Sequence, residues 1–351
     1  MKILVLGGTR FLGRHVVDAA LARDHAVTVF TRGVQPVPWP TRVLHLTGNR
    51  DPRIAPGLVP GLAPGLAALA GGEWDAAIDL SGYVPRCVEA SSAALNGSVG
   101  HYTFVSSVSV YADASRPGVD ETAPVLQLDD PASEDIPAHY GALKARCEDE
   151  VRAAFGRRAL IVRPGLIVGP FDPTDRFGYW VARFVCPDLM GARDEHAVVP
   201  GPPERFVQFI DARDLASWML DMAERKEEGT FDTCTPAGMW TMGTLVEHLA
   251  ASARAAGSQT VAQWVDDAVL ARHDVTPWTG LPLWIPAADA ESAGFMHLPC
   301  ARALAHGLAF RPLGETIADT AAWLCERDNS AAWRNVLSAS TEREILAAWT
   351  A

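Results

Sequence analysis

Lys2-Ile3-Leu4-Val5-Leu6-Gly7-Gly8-Thr9-Arg10-Phe11-Leu12-Gly13 is the stretch that decides the fold class. The apolar run Ile3 to Leu6 reads as a parallel strand covered on both faces. It passes through glycines into a helical pattern, with Leu12, Val16, Val17, Ala20 and Leu21 on one side and Arg14, Asp18 and Arg23 on the other. Glycines at such a strand-to-helix turn permit a tight turn, close backbone approach to a pyrophosphate, and close helix–strand packing, while the helix N-terminus attracts the anion. Thr9, Arg10, Phe11 and Leu12, between Gly7 and Gly13, therefore stand as cofactor contacts. Arg10 occupies a position where the commoner spacing has a third glycine; it points either to cofactor phosphate or into solvent.

The alternation continues outward from this turn. Ala26–Phe30, Val43–Leu46, Ala76–Leu80, His101–Val105 and Ala159–Val162 read as further strands, with helices over Val88–Leu95 and Tyr140–Phe155. Pro56, Pro60 and Pro64 argue against one long helix between Ile54 and Gly72. The expected fold is α/β, a doubly wound parallel sheet of about seven strands with a smaller C-terminal substrate-binding region. Residues 1–170 form the expected dinucleotide-binding domain. Return strands to the main sheet fall near 205–235, at Phe206–Ile210 and Gly229–Thr233. Residues 171–204 and 236–330 form the substrate region, rich in Pro, Gly and Trp, and 331–351 a last helix, docked or at an oligomer contact.

Composition narrows the function classes. Lys and Arg number 30 against 42 Asp and Glu, a net charge of −12 that penalises binding to nucleic acid or anionic lipid. The six cysteines are scattered, with no pair at metal-ligand spacing, which fits reduced thiols. No metal site is expected, and the histidines lack partners at ligand spacing. With no secretory apolar segment and no apolar stretch of membrane-spanning length, the expectation is a soluble cytoplasmic protein acting on a small molecule.

Two further groups carry chemistry. The second strand ends in Phe30-Thr31-Arg32-Gly33, with no acid for adenosine ribose hydroxyls and with Arg32 available to a 2′-phosphate, so NADP(H) is favoured over NAD(H). Tyr140 and Lys144 stand four apart on a helical segment and share a face; a neighbouring ammonium is expected to lower the phenol's pKa and suit it to proton transfer. Val105-Ser106-Ser107-Val108-Ser109 places hydroxyls at the C-terminal sheet edge, where open α/β folds bind ligands.

Through Gly7 to Gly13, Leu80-Ser81-Gly82, Ser106 to Tyr111, Tyr140 to Lys144, Arg163-Pro164-Gly165 and Arg205 to Asp211, the chain resembles an extended short-chain dehydrogenase/reductase of the NAD-dependent epimerase/dehydratase superfamily. More narrowly, it resembles the bacterial isoflavone-reductase-like group with the Gly-Gly-Thr-Arg-Phe-Leu-Gly turn. The resemblance implies Ser107 as catalytic hydroxyl, Tyr140 as acid/base, and Lys144 as its electrostatic partner and ribose contact. It puts Leu80, Ser81 and Gly82 beside the cofactor backbone, Pro164 and Gly165 beside the nicotinamide, and Asn49 at the adenine in place of the family's aspartate, with Arg50 next to it a further cofactor contact. Arg205 matches an arginine that grips substrate phosphate, with a local salt bridge, for example to Asp211, as the competing account. His139 is a candidate pocket residue, and Trp180, Trp278 and Trp284 are either pocket or core. A homodimer is common in such families.

The implied activity is carbonyl/alcohol interconversion on a small hydrophobic or natural-product substrate. Two alternatives stand beside it: an NAD-retaining epimerase or dehydratase of a sugar nucleotide, and a non-catalytic dinucleotide sensor or RNA-binding relative. Dehydratases usually carry an acid near the serine, and Ser107-Val108-Ser109 has none.

Overall fold

Ile3, Leu4 and Val5 are fully buried, as a strand with helices on both faces requires. The computed structural model describes residues 1–39, 41–54, 65–192, 195–328, 333–334 and 336–349. Pro56, Pro60 and Pro64 lie outside the described residues. In chain order, β1 (Lys2–Leu6) leads through the glycine turn to α1 (Phe11–Ala22), then β2 (Ala26–Thr31), β3 (Val43–Thr47), β4 (Trp74–Asp79), α2 (Pro85–Leu95), β5 (Val99–Val105), α3 (Ile136–Phe155) and β6 (Ala159–Pro164). The second half runs through β7 (Leu166–Val168), α4 (Arg176–Val185), β8 (His196–Pro200), β9 (Phe209–Asp211), α5 (Ala212–Arg225), β10 (Gly229–Thr233), α6 (Met242–Ala256) and β11 (Val261–Val265). It ends in α7 (Asp267–Arg272), α8 (Ala301–Ala305), α9 (Leu313–Glu326) and α10 (Ala339–Trp349).

Seven strands form one sheet in the order β10-β6-β5-β4-β1-β2-β3, every neighbouring pair parallel. This is the doubly wound Rossmann architecture expected from the sequence. The strand order reverses at β1, next to the glycine turn, and the crevice beside such a switch point is where open α/β sheets take ligands. One face of the sheet is covered by α1 and α5, whose Val16, Val17, Leu215 and Met219 meet Ile3, Val5 and Val29 in one apolar cluster. On the other face Leu4, Leu6 and Ile161 belong to a cluster with Val88, Leu95, Cys147 and Val151 of α2 and α3. Gly229–Thr233 returns to this sheet as β10. Phe206–Ile210 does not: β9 begins at Phe209 and pairs instead with β7, Leu166 against Phe209, in a separate two-stranded sheet. An apolar run supplies a strand, but its partner is set by tertiary packing.

The other large apolar cluster gathers α4, α6, α9 and the β8–β11 pair around Trp180, Phe184, Leu249 and Trp284. The C-terminal segment is docked there: Glu342 of α10 accepts hydrogen bonds from Arg183 Nε at 2.9 Å and from the Val198 amide at 3.0 Å. Among the described residues no helix is long and apolar enough to cross a membrane.

Candidate active site

A cavity of about 880 Å³ runs along the C-terminal edge of the sheet, inside the size range of roughly 300–1,000 Å³ usual for cofactor and ligand pockets. A smaller cleft of about 380 Å³ lies at the opposite edge, between Lys2, Asp75 and Arg158. It is remote from the hydroxyl and phenol groups, and strand N-termini are not where such sheets bind ligands.

The large cavity is lined at one end by Phe30, Thr31, Arg32, Asn49 and Arg50, along its floor by Gly7, Thr9, Arg10, Phe11, Leu12 and Gly13, and onward by Leu80, Ser81, Ser107, Tyr140, Lys144, Pro164 and Gly165. Its chemistry fits a dinucleotide. Gly7 adopts φ +95°, a left-handed conformation that favours glycine. A β-carbon at Gly13 would lie 2.5 Å from the Gly7 carbonyl oxygen and 2.8 Å from Gly8 Cα, so only hydrogen lets α1 approach the turn. The start of α1 has no side-chain cap and no acid in its first turn; the Gly13 amide donates to the Arg10 carbonyl at 2.9 Å, and the Phe11 and Leu12 amides ahead of it face the anion position. Arg10 and Arg32 are both exposed at the rim. When bound there, a nicotinamide dinucleotide supplies or accepts a hydride.

Arg50 lines the cavity at its adenosine end and is held there by an ion pair. Its guanidinium pairs with both carboxylate oxygens of Asp79 at 2.7 Å and reaches Ser91 Oγ at 2.6 Å. Asp79 is fully buried and also accepts from Tyr102 Oη at 2.9 Å and the Ser81 amide at 3.1 Å. The Arg50 ion pair holds its carboxyl below the usual carboxylate range against the opposing effect of burial. This network ties the loops after β3 and β4 together and leaves Asn49, itself buried, at the cavity wall. Asp79 was missed as a site-building residue; the available signal was a lone acid inside the apolar run Ala76-Ala77-Ile78-Asp79-Leu80.

Tyr140 sits just past a kink in α3, where His139 has φ −126° and ψ 27°. Asp135 caps the helix by accepting from the Ala138 amide, and Pro137 fills its first turn. The turn after the kink lies directly against the segment that follows Ser107: a β-carbon on Gly141 would run into the Ser109 carbonyl. That close approach sets Tyr140 and Ser107 on the same cavity wall. Ser107 Oγ is itself fixed, accepting from the Ser109 amide at 3.1 Å and donating to Ser109 Oγ at 3.0 Å.

Lys144 behaves differently from the sequence expectation. Its Nζ donates to the Gly82 and Val105 carbonyls at 2.7 and 2.6 Å and lies 4.3 Å from the Phe104 ring centroid. Burial pushes its pKa down to about 8. The net shift of Tyr140 is upward, with burial the largest cause and the neighbouring Tyr83 phenol adding to it. The ammonium is therefore held on backbone carbonyls, and the tyrosine is kept as a neutral phenol, the form that donates a proton. A stability prediction follows. Between pH about 8 and the ordinary lysine value of 10.5, the unfolded chain holds a proton that folded Lys144 has released. Stability should rise through this window by up to about 3 kcal/mol. Urea titrations at stepped pH should show that Lys144→Met lacks the rise.

His139 is exposed and does not line the cavity. Arg205 is also outside it: its guanidinium donates to Asp267 Oδ1 at 2.8 Å, to the Gly201 carbonyl at 2.6 Å, and to the Ile285 carbonyl. The salt-bridge account of Arg205 therefore describes this structure, with Asp267 as the acid, while Asp211 pairs with Arg213 at 2.7 Å. Trp180 and Trp284 are core residues with their indole N–H groups bonded to Pro282 O and Asp267 Oδ1. Trp278 lines the cavity, as do Arg176 and Phe295.

Fold and cavity together define the class, a Rossmann-type α/β protein. The model of the NAD dependent epimerase/dehydratase family matches residues 84–233. In fold, the chain is similar to a putative epimerase from Burkholderia cenocepacia J2315 (20% identity, TM-score 0.65, covering 93% of this chain and 98% of that one). It is equally similar to the Bordetella bronchiseptica enzyme WbmH in complex with NAD+ (15% identity, TM-score 0.65, 93% and 98% covered). A curated relative, the chloroplast stem-loop binding protein of 41 kDa b from Arabidopsis thaliana, is 28% identical over 185 residues. That match spans 49% of this chain and 43% of the relative. The family match and the shared fold are consistent with the NAD-dependent epimerase/dehydratase superfamily that the sequence motifs resemble.

Proposed function

We propose that the protein is a nicotinamide-dinucleotide-dependent oxidoreductase of the epimerase/dehydratase type, interconverting a carbonyl and an alcohol on a small, largely apolar substrate. The observation that carries this reading is one continuous cavity joining the Gly7–Gly13 turn to Ser107 and Tyr140. Ser107 hydrogen-bonds the reacting oxygen, and Tyr140 passes it a proton as the carbonyl is reduced. Lys144 anchors the segment between Gly82 and Val105 and presents its ammonium to the ribose side. Pro164 and Gly165 form the wall against the nicotinamide.

NADP(H) is the favoured form, because Arg32 stands at the adenosine end and no acid ends β2. Dinucleotide fluorescence titration should give tighter binding of NADPH than NADH. Arg32→Ala should weaken NADPH by about 10–100-fold and NADH by less than about threefold, the loss expected of a charge-assisted contact. Function is tested by following dinucleotide absorbance with a panel of aldehydes and ketones. Net consumption of NADPH supports the reductase. Tightly held NAD with no net consumption supports the second reading, an NAD-retaining epimerase, which draws on the name of the Burkholderia neighbour. The stem-loop-binding name of the curated relative raises an RNA-binding reading, opposed by the net charge of −12. A salt-sensitive RNA mobility shift would favour it.

A further inference from the structure

The cavity extends past Tyr140 to residues that a dinucleotide on the glycine turn leaves unused: Tyr83, Ile136, Pro173, Arg176, Trp278 and Phe295. Arg176 is the charged one. It is the first residue of α4, placed by Asp175 in the left-handed region at φ 61°. Its Nε donates to Thr174 Oγ1 at 3.2 Å, and its guanidinium carbon is 5.7 Å from the Trp278 ring centroid.

Arg176 is half-buried at the cavity and, like Arg14 stacked on Phe171, makes no ion pair among the described residues. Arg50, Arg163 and Arg183 each form an ion pair with a buried carboxylate, of Asp79, Glu148 and Glu342. Among the described residues no carboxylate lies within ion-pair distance of Arg176. Asp172, the acid that acts on it electrostatically, turns its Oδ1 to the Thr174 amide at 2.9 Å and hydroxyl at 2.7 Å. Burial lowers the Arg176 pKa against the opposing pull of Asp172. The charge is felt at the phenol, where it favours the ionised form of Tyr140. Beside it, Trp278 and Phe295 form an edge-to-face pair with centroids 5.5 Å apart and planes at 88°.

We propose that Arg176 is the anion anchor of the substrate pocket: the substrate carries a carboxylate or phosphate that pairs with Arg176 beside Tyr140, and presents a flat apolar or aromatic group to Trp278 and Phe295. This deepens the oxidoreductase reading by naming its substrate class as an acidic, ring-bearing compound, and it rests on that reading for the role of Tyr140. A guanidinium can also serve the pyrophosphate of the dinucleotide, so the test separates the two sources of oxyanion.

Isothermal titration of the full-length protein with benzoate, phenyl phosphate and neutral benzamide, without and with saturating NADPH, is the experiment. At least one oxyanion should bind about tenfold or more tightly than benzamide, with or without NADPH. Arg176→Gln should erase that preference while leaving benzamide and NADPH affinity within about twofold, and Arg176→Lys should keep part of it. Equal binding of benzoate, phenyl phosphate and benzamide to the wild type would overturn the assignment, as would failure of both oxyanions to bind, or full oxyanion binding by a folded Arg176→Gln variant. A tenfold loss of NADPH affinity in Arg176→Gln would move the guanidinium to the cofactor and equally overturn it. Failure of NADPH to bind the wild type would strike the dinucleotide reading alone, because the oxyanion comparison without NADPH stands independently.

Discussion

Tyr140→Phe should slow the reduction of a carbonyl substrate by about 10²–10⁴-fold while changing NADPH affinity by less than about twofold. Among the described residues the phenol has no carboxylate partner; its polar neighbours are Ser107, Tyr83 and the Arg176 charge. Removing its oxygen leaves the ring packed 6.4 Å from that of Tyr83 and should disturb the fold little. The loss therefore falls on the proton-transfer step. Steady-state rates with a carbonyl found in the aldehyde and ketone panel, set beside dinucleotide titrations of the same preparation, separate chemistry from binding. Comparable loss of binding and rate would mean that Tyr140 positions the cofactor instead of moving a proton.

Gly13→Ala should have the second large effect. The added methyl meets the Gly7 carbonyl and the Gly8 backbone, atoms that cannot rotate away as a side-chain tip does. The turn must open, withdrawing the amides that would face a pyrophosphate. NADPH affinity should fall by about 100-fold or more, and overpacking should cost about 1–3 kcal/mol of stability. Gly314→Ala in α9 is the control: its β-carbon meets nothing within 4 Å, and alanine there should preserve binding and stability. Fluorescence titration and denaturant melts of the two variants provide the comparison.

The sheet was legible because its strands are short continuous apolar runs separated by helical periodicity, a pattern that residues near one another impose. The fold's opening unit was legible for a stronger reason: glycine at 7 and 13 answers a steric demand that few other turns make. The start of α3 lay further upstream than the apolar pattern showed, yet Asp135 and Pro137 carried the signal as cap and first-turn residue. What escaped was pairing between distant segments. Nothing local tells Phe209 to pair with Leu166, Arg50 to close on Asp79 29 residues away, or Arg205 to choose Asp267 over Asp211. Lys144 is the clearest case. Its spacing from Tyr140 shows a shared helix face, but its partners are backbone carbonyls of two other segments, which no side-chain pattern records. Likewise Trp180, Trp278 and Trp284 read alike in sequence, and only packing sends Trp278 to the cavity.

The central claim, a nicotinamide held by the opening glycines and facing the Tyr140 phenol, is tested most directly by a crystal structure of the protein with NADP+. The account predicts the pyrophosphate on the amides at the start of α1 and the reactive ring carbon opposite Tyr140 and Ser107, between Pro164-Gly165 and Leu80. A dinucleotide bound elsewhere, or a nicotinamide ring turned out of reach of the Tyr140 hydroxyl, would contradict it.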